Sequence, residues 1–193
     1  MTRARDVSSR GGLTQVVPAS ITVGGGSGSV SANGTINCSA ITSVRINNAF
    51  SATYTNYRIA LTCTASTASN SWTLMRLSAN NVDHSGGEYY GSNTLFTGST
   101  TLYNATTGGT AGRVGLTHTG QLTSYEHVIE AMSPFRAVNS SVTSTGYWNN
   151  GSNDGAHYGV FLHNVGLSYD GFSIIPSNGT FTGQIRVYGY NNG

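Results

Sequence analysis

The sequence contains no lysine, and only 8% of its residues are charged, where an ordinary soluble domain carries about 25%. Without lysine a phosphate-binding P-loop is excluded. Seven acidic residues scattered over 193 positions argue against the facing carboxylate pair that glycoside hydrolysis needs. The mixture is poor in the residues from which helices are built, which excludes a helical bundle. No apolar run approaches the roughly 18 residues of a membrane helix, so no membrane insertion is expected. The opening Met1-Thr2-Arg3-Ala4-Arg5-Asp6 has no apolar segment behind its charges, unlike a secretory signal.

Only two cysteines occur, Cys38 and Cys63. Two make no disulfide framework. Both lie on expected strands among apolar, Thr or Ser neighbours, as small buried hydrophobes would. A single bridge between them stays open at this stage, because the pairing geometry is not set by sequence.

Glycine (26 residues), Ser, Thr and Asn fill the gap, together with 11 Tyr, 6 Phe and 2 Trp. The aromatics supply enough bulk for a core, so disorder is not expected. Alternation marks the strands. In Tyr57–Cys63 the odd positions are apolar, and in Thr180–Tyr190 Phe181, Ile185 and Val187 share one face. Ser71–Leu77 and Glu126–Met132 carry apolar residues on both faces, as central strands do. Further strands are expected at Thr42–Asn47, Ala111–His118, Ser140–Tyr147, Tyr158–His163 and Gly171–Ile175. Turns are signalled by Asn33-Gly34, Asn150-Gly151, Asp170-Gly171 and Asn178-Gly179. Eight or nine such strands predict an all-β fold, a jelly-roll-like antiparallel β-sandwich with an extended N-terminal arm.

The charge is unevenly placed. Arg3, Arg5 and Arg10 against Asp6 hold the whole net charge of +2, and the remaining six Arg balance six acids. Residues 1–28 are therefore expected to be an attachment arm with a Gly-rich linker at Gly24–Gly28, and residues 29–193 the sandwich. Arg3, Arg5 and Arg10 would anchor to carboxylates, with Leu13, Val16 and Val17 in an apolar groove. Three Arg without stacking aromatics are a poor nucleic-acid site, and no nucleic acid is expected. A body so low in charge suits a subunit of a larger assembly. A homotrimer is expected, with Trp72, Leu74, Met75 and Leu77 nearest the contact.

No catalytic motif is present. The Gly24–Gly28 run lacks the spacing of a nucleophile elbow, and the five histidines (84, 118, 127, 157, 163) form no familiar ligand motif. No enzyme activity, metal site or cofactor is expected. The six N-x-S/T sequons follow from composition. What remains is surface. The segments 83–103 and 146–158 read as loops in which aromatics stand beside Asn, Asp and Gly. Tyr89, Tyr90, Tyr147, Trp148, Asn149, Asp154 and His157 are the candidates for contact with a sugar or protein receptor.

Four stretches carry a resemblance. Ala4–Pro18, the pair Phe50–Ile59 and Ser168–Pro176, and the ending Gly179–Asn192 resemble virion structural proteins of tailed bacteriophages, of the short tail fibre or receptor-binding type found in marine and freshwater phages. The likeness implies a location on the phage particle, at the tail or capsid exterior. It also implies docking through the arm to other virion proteins and contact of the body with a host surface glycan or protein. The alternative within that setting is a capsid decoration (cement) protein or head fibre. No catalytic residues come with the resemblance.

Overall fold

The computed structural model describes residues 12–67, 71–97, 100–117, 124–149 and 154–191. Among these there is no helix; sixteen strands form two antiparallel sheets stacked as a sandwich. The strands are β1 (Leu13–Val16), β2 (Ser20–Gly24), β3 (Ser27–Val30), β4 (Ile36–Ile41), β5 (Ser43–Asn47), β6 (Asn56–Ser66), β7 (Ser71–Ala79) and β8 (Val82–Asp83). They continue with β9 (Tyr89–Thr97), β10 (Thr100–Gly109), β11 (Gly112–Thr117), β12 (Ser124–Met132), β13 (Ser140–Asn149), β14 (Asp154–His163), β15 (Gly171–Pro176) and β16 (Phe181–Tyr190). The all-β sandwich expected from alternation is what the chain forms.

The large sheet has ten strands in the order β10-β9-β14-β13-β12-β6-β16-β4-β3, with β1 on β16; the small sheet runs β11-β7-β15-β5-β2, with β8 on β7. Each of the nine expected strands is present. As expected, the doubly apolar segments are central: β7 lies between β11 and β15, and β12 between β13 and β6. Tyr57, Ile59, Leu61 and Cys63 all point inward, as do Phe181, Ile185 and Val187. They meet Val44, Ile46, Met75, Leu77, Phe172 and Ile174 of the small sheet in one core. Burying a large apolar side chain contributes about 1.5–3 kcal/mol, so this interdigitated layer is what holds the sheets together. Tyr57 adds a polar lock. Its hydroxyl donates to the Ser51 carbonyl at 2.9 Å and accepts from the Ser51 N–H at 2.7 Å, pinning the chain before β6.

The expected boundary at residue 28 is corrected. β1 pairs with β16, β2 with β5 and β3 with β4, so the chain from Leu13 onward is built into the sandwich. The Gly-rich stretch is a corner rather than a linker. Gly25 and Gly26, at φ +65° and +48°, take the chain from the small sheet to the large one. A side chain at Gly26 would overlap the Ser39 carbonyl, so only glycine fits there. Val16 packs against the chain's own core and is not free to fill a partner's groove, whereas Leu13 and Val17 are exposed. Arg3, Arg5 and Arg10 lie outside the described residues.

The expected trimer contact is altered too: Met75 and Leu77 belong to the core, leaving Trp72 and Leu74 partly exposed. The Arg113 guanidinium lies 4.7 Å over the Trp72 ring.

The cysteines are both free and buried. Each pairs with Gly183 of β16, Cys38 from one side and Cys63 from the other. Two strand spacings, about 9–10 Å, therefore separate them, beyond the roughly 7 Å limit for a bridge.

Candidate functional site

Much of the two segments expected to be loops, 83–103 and 146–158, is strand. Tyr89–Thr97 and Thr100–Gly109 form one hairpin, and Ser140–Asn149 and Asp154–His163 another; the two join through β9 and β14. Sheet pleating then divides the candidate contact residues by parity. Tyr89, Trp148 and His157 face the core and are buried; as direct ligand contacts they are corrected. The Tyr89 hydroxyl accepts from the Leu77 N–H at 2.9 Å and donates to the His84 carbonyl at 2.9 Å. Tyr90, Tyr147 and Asp154 are exposed. Asn149 ends β13, and nothing is described of its side chain.

Parity also gathers the candidate Tyr147 with three aromatics outside the candidate set. Register puts Tyr103 opposite Thr94, Thr94 opposite Tyr158, Phe96 opposite Ala156, and Ala156 opposite Tyr147. Directly paired residues share a face, so Tyr103, Phe96, Tyr158 and Tyr147 project from the same outer face as diagonal neighbours across four strands. Their exposures are 80%, 48%, 49% and 48%. The two small residues between them, Thr94 and Ala156, leave the ring faces open. Farther along the face stand Tyr90, Leu162, Val128 and Met132, all exposed. The signal available in sequence was alternation at Tyr90-x-Ser92-x-Thr94-x-Phe96, in which polar and aromatic residues share the outer face.

Beyond this patch the face is polar. Arg58 Nε donates to Glu130 Oε1 at 2.6 Å, and the Tyr190 hydroxyl donates to Glu130 Oε2 at 2.6 Å. Burial comes first in holding the Tyr190 hydroxyl above its ordinary pKa, followed by this bond to Glu130.

Beneath the patch, on the inner face, sits a polar cluster. His127, Gly146 and His157 form one row across β12, β13 and β14. The rings of His127 and His157 are perpendicular with centroids 5.7 Å apart. His157 Nε2 lies 3.0 Å from Asn93 Oδ1. Neither ring nitrogen of His127 has a hydrogen-bond partner among the described residues. Burial, followed by the charge of His157, lowers His127 to a pKa of about 3, and burial lowers His157 to about 4. Both rings are neutral at pH 7, which a core position requires.

A second histidine group lies where the two sheets meet. His84 follows β8, Glu88 precedes β9, and His163 ends β14. His163 Nε2 is 3.1 Å from His84 Nδ1, which in turn is 3.6 Å from Glu88 Oε2. His163 is lowered to a pKa of about 4, mainly by burial and then by His84, with Glu88 opposing. His84 and Glu88 are four residues apart in sequence, but the third member is 79 positions away from His84. Only the fold assembles them, which is why no ligand motif was legible.

No protein-family profile and no curated protein sequence matches the chain. Among solved structures it is similar to domain 4 of AbnA, a GH43 extracellular arabinanase from Geobacillus stearothermophilus solved with arabinotriose. The identity is 11% and the TM-score 0.35, covering 94% of this chain and 95% of that one. It is also similar to lectin II from Ulex europaeus (12% identity, TM-score 0.28, 93% and 97% covered). A third similar structure is the Lotus tetragonolobus seed lectin (7%, TM-score 0.22, 94% and 100% covered).

Proposed function

We propose that this chain is a non-enzymatic structural protein of a tailed-phage virion, of the short tail fibre or receptor-binding type. In this reading the outer face of the large sheet contacts a host surface glycan. The observation that carries it is the group Tyr103, Phe96, Tyr158 and Tyr147 on one open sheet face. Exposed apolar patches mark interaction sites. Tyrosine suits a sugar, because its ring stacks on the C–H face of a pyranose while its hydroxyl bonds to sugar hydroxyls. Thr94 offers a hydroxyl between the rings, and the exposed Asp154 a carboxylate at the end of β14. Residues 1–11, with Arg3, Arg5 and Arg10, are the segment left to dock on acidic virion partners.

Competition with phage adsorption is the test. The purified chain should block adsorption of the virion that carries it, and a Phe96→Ser/Tyr103→Ser/Tyr158→Ser variant that keeps its fold should not. Equal blocking by both would refute the reading.

A second reading, the capsid decoration protein or head fibre, is favoured by the continuation of the patch into Val128, Leu162 and Met132. Aliphatic side chains suit permanent protein contact, either with a shell or with further copies in a homotrimer. Many copies per virion by quantitative mass spectrometry would favour it over a tail position, which holds few.

A further inference from the structure

We propose that His84, Glu88 and His163 form a binding site for a divalent transition-metal ion of the zinc class, clipping the two sheets together. All three donor atoms lie within 4.8 Å of one another. A tetrahedral ion with arms of about 2.0–2.1 Å sets its donors about 3.3 Å apart. The 3.1 Å from His163 Nε2 to His84 Nδ1 and the 3.6 Å from His84 Nδ1 to Glu88 Oε2 bracket that edge. Turning the partly exposed Glu88 side chain would close the third edge.

The surroundings orient these donors. His163 Nδ1 lies 3.0 Å from the buried Tyr169 hydroxyl. When Nδ1 carries the ring proton and donates it there, Nε2 presents its lone pair, as a second-layer partner of a metal-bound histidine does. Tyr89 holds the His84 carbonyl, and the His84 N–H donates to the Leu77 carbonyl at 2.8 Å. Asn164, next to His163, donates its N–H to the Glu88 carbonyl at 3.0 Å. A side chain at Gly86 would overlap the Glu88 carboxylate, so glycine there lets the carboxylate fold back toward the histidines. Glu88 Oε2 is shielded from solvent and has no hydrogen bond among the described residues.

The donor set fixes the ligand class. Two imidazoles and one carboxylate suit zinc and its neighbours, whereas calcium and magnesium take oxygen ligands. His84 and Glu88 are partly open to solvent, which gives the ion an entry path and a water for its fourth position. β8 belongs to the small sheet through β7, and β9 and β14 belong to the large sheet. An ion held by all three residues therefore ties the sheets at this end.

Titrating the full chain, stripped with chelator, with Zn²⁺ against a chromophoric competitor tests the site. One Zn²⁺ per chain is expected, with a Kd at or below about 10 μM. His84→Ala and Glu88→Gln, both on the exposed loop and checked by circular dichroism, should each weaken it at least about tenfold. Ca²⁺ and Mg²⁺ should not compete. No stoichiometric binding, or affinity unchanged in either variant, overturns the assignment. X-ray absorption at the zinc edge of the wild-type chain gives a readout without variants: a first shell containing two imidazoles supports the site, and a shell without them overturns it.

Discussion

The imidazole of His127 packs against Gly146, the residue directly paired with it on the neighbouring strand. A Cβ at position 146 would overlap both His127 Nδ1 and the Glu126 carbonyl. Gly115 approaches the same ring from the small sheet, and a side chain there would also collide with it. The histidine thus occupies space that two glycines vacate.

Gly146→Ala should destabilise the fold by about 1–3 kcal/mol, the usual cost of overpacking a core. Gly183→Ala should do the same, because its Cβ would overlap the Thr62 carbonyl, a backbone atom that cannot swing aside. Urea denaturation measures both. A change below the error of the midpoint in either would show that the strands yield more readily than this packing allows.

Stability should rise with pH between about 4 and 6.5. His127 and His157 have folded pKa values near 3 and 4, while in the unfolded chain each lies near 6.5. Between these limits the unfolded state binds more protons, so stability falls as pH is lowered through that window and is fully present above it. The slope is about 1.4 kcal/mol per pH unit for each histidine. Unfolding free energies at pH 7, 6 and 5 check it, and His127→Leu should flatten the profile whatever it does to absolute stability.

Neither cysteine should react with a thiol reagent in the native protein, and both should react in denaturant. Cys38 is pushed up to about 12 by burial, and Cys63 is raised as well, again chiefly by burial. The reactive thiolate is then scarce at neutral pH. An unreduced sample with no thiol titre in denaturant would contradict the separation of the two residues by β16.

Alternation made the core legible where one face was buried and the other wet, as in Tyr57–Cys63. It failed at Leu13–Val30, where short strands rich in Gly, Ser and Thr form by pairing with partners far along the chain; β1 finds β16 about 175 residues away. It failed again at Tyr89–Gly109, where Asn and Gly resembled loop signals. Asn93 is instead a buried partner of His157, and Gly91 is a close-packed strand position against the Val160 carbonyl. Choosing Tyr89, Trp148 and His157 as surface residues followed from that error, since reading a strand as a loop erases the parity that sends alternate side chains inward. Tyr103 and Phe96 were missed for the same reason, and Tyr158, although on an expected strand, was missed because its neighbour β9 was read as a loop. The His84, Glu88 and His163 group depends on register between β9 and β14, which no local pattern encodes.

The proposed glycan contact lies on the aromatic face of the large sheet. Aromatic-resolved NMR of the full chain, titrated with oligosaccharides cut from the host surface polysaccharide, addresses it most directly. Saturable shifts concentrated on Tyr103, Phe96, Tyr158 and Tyr147 are predicted, with the buried Tyr57 and Tyr125 unmoved. Saturable binding that leaves those four rings unshifted, or no binding to any host surface fragment, would contradict it.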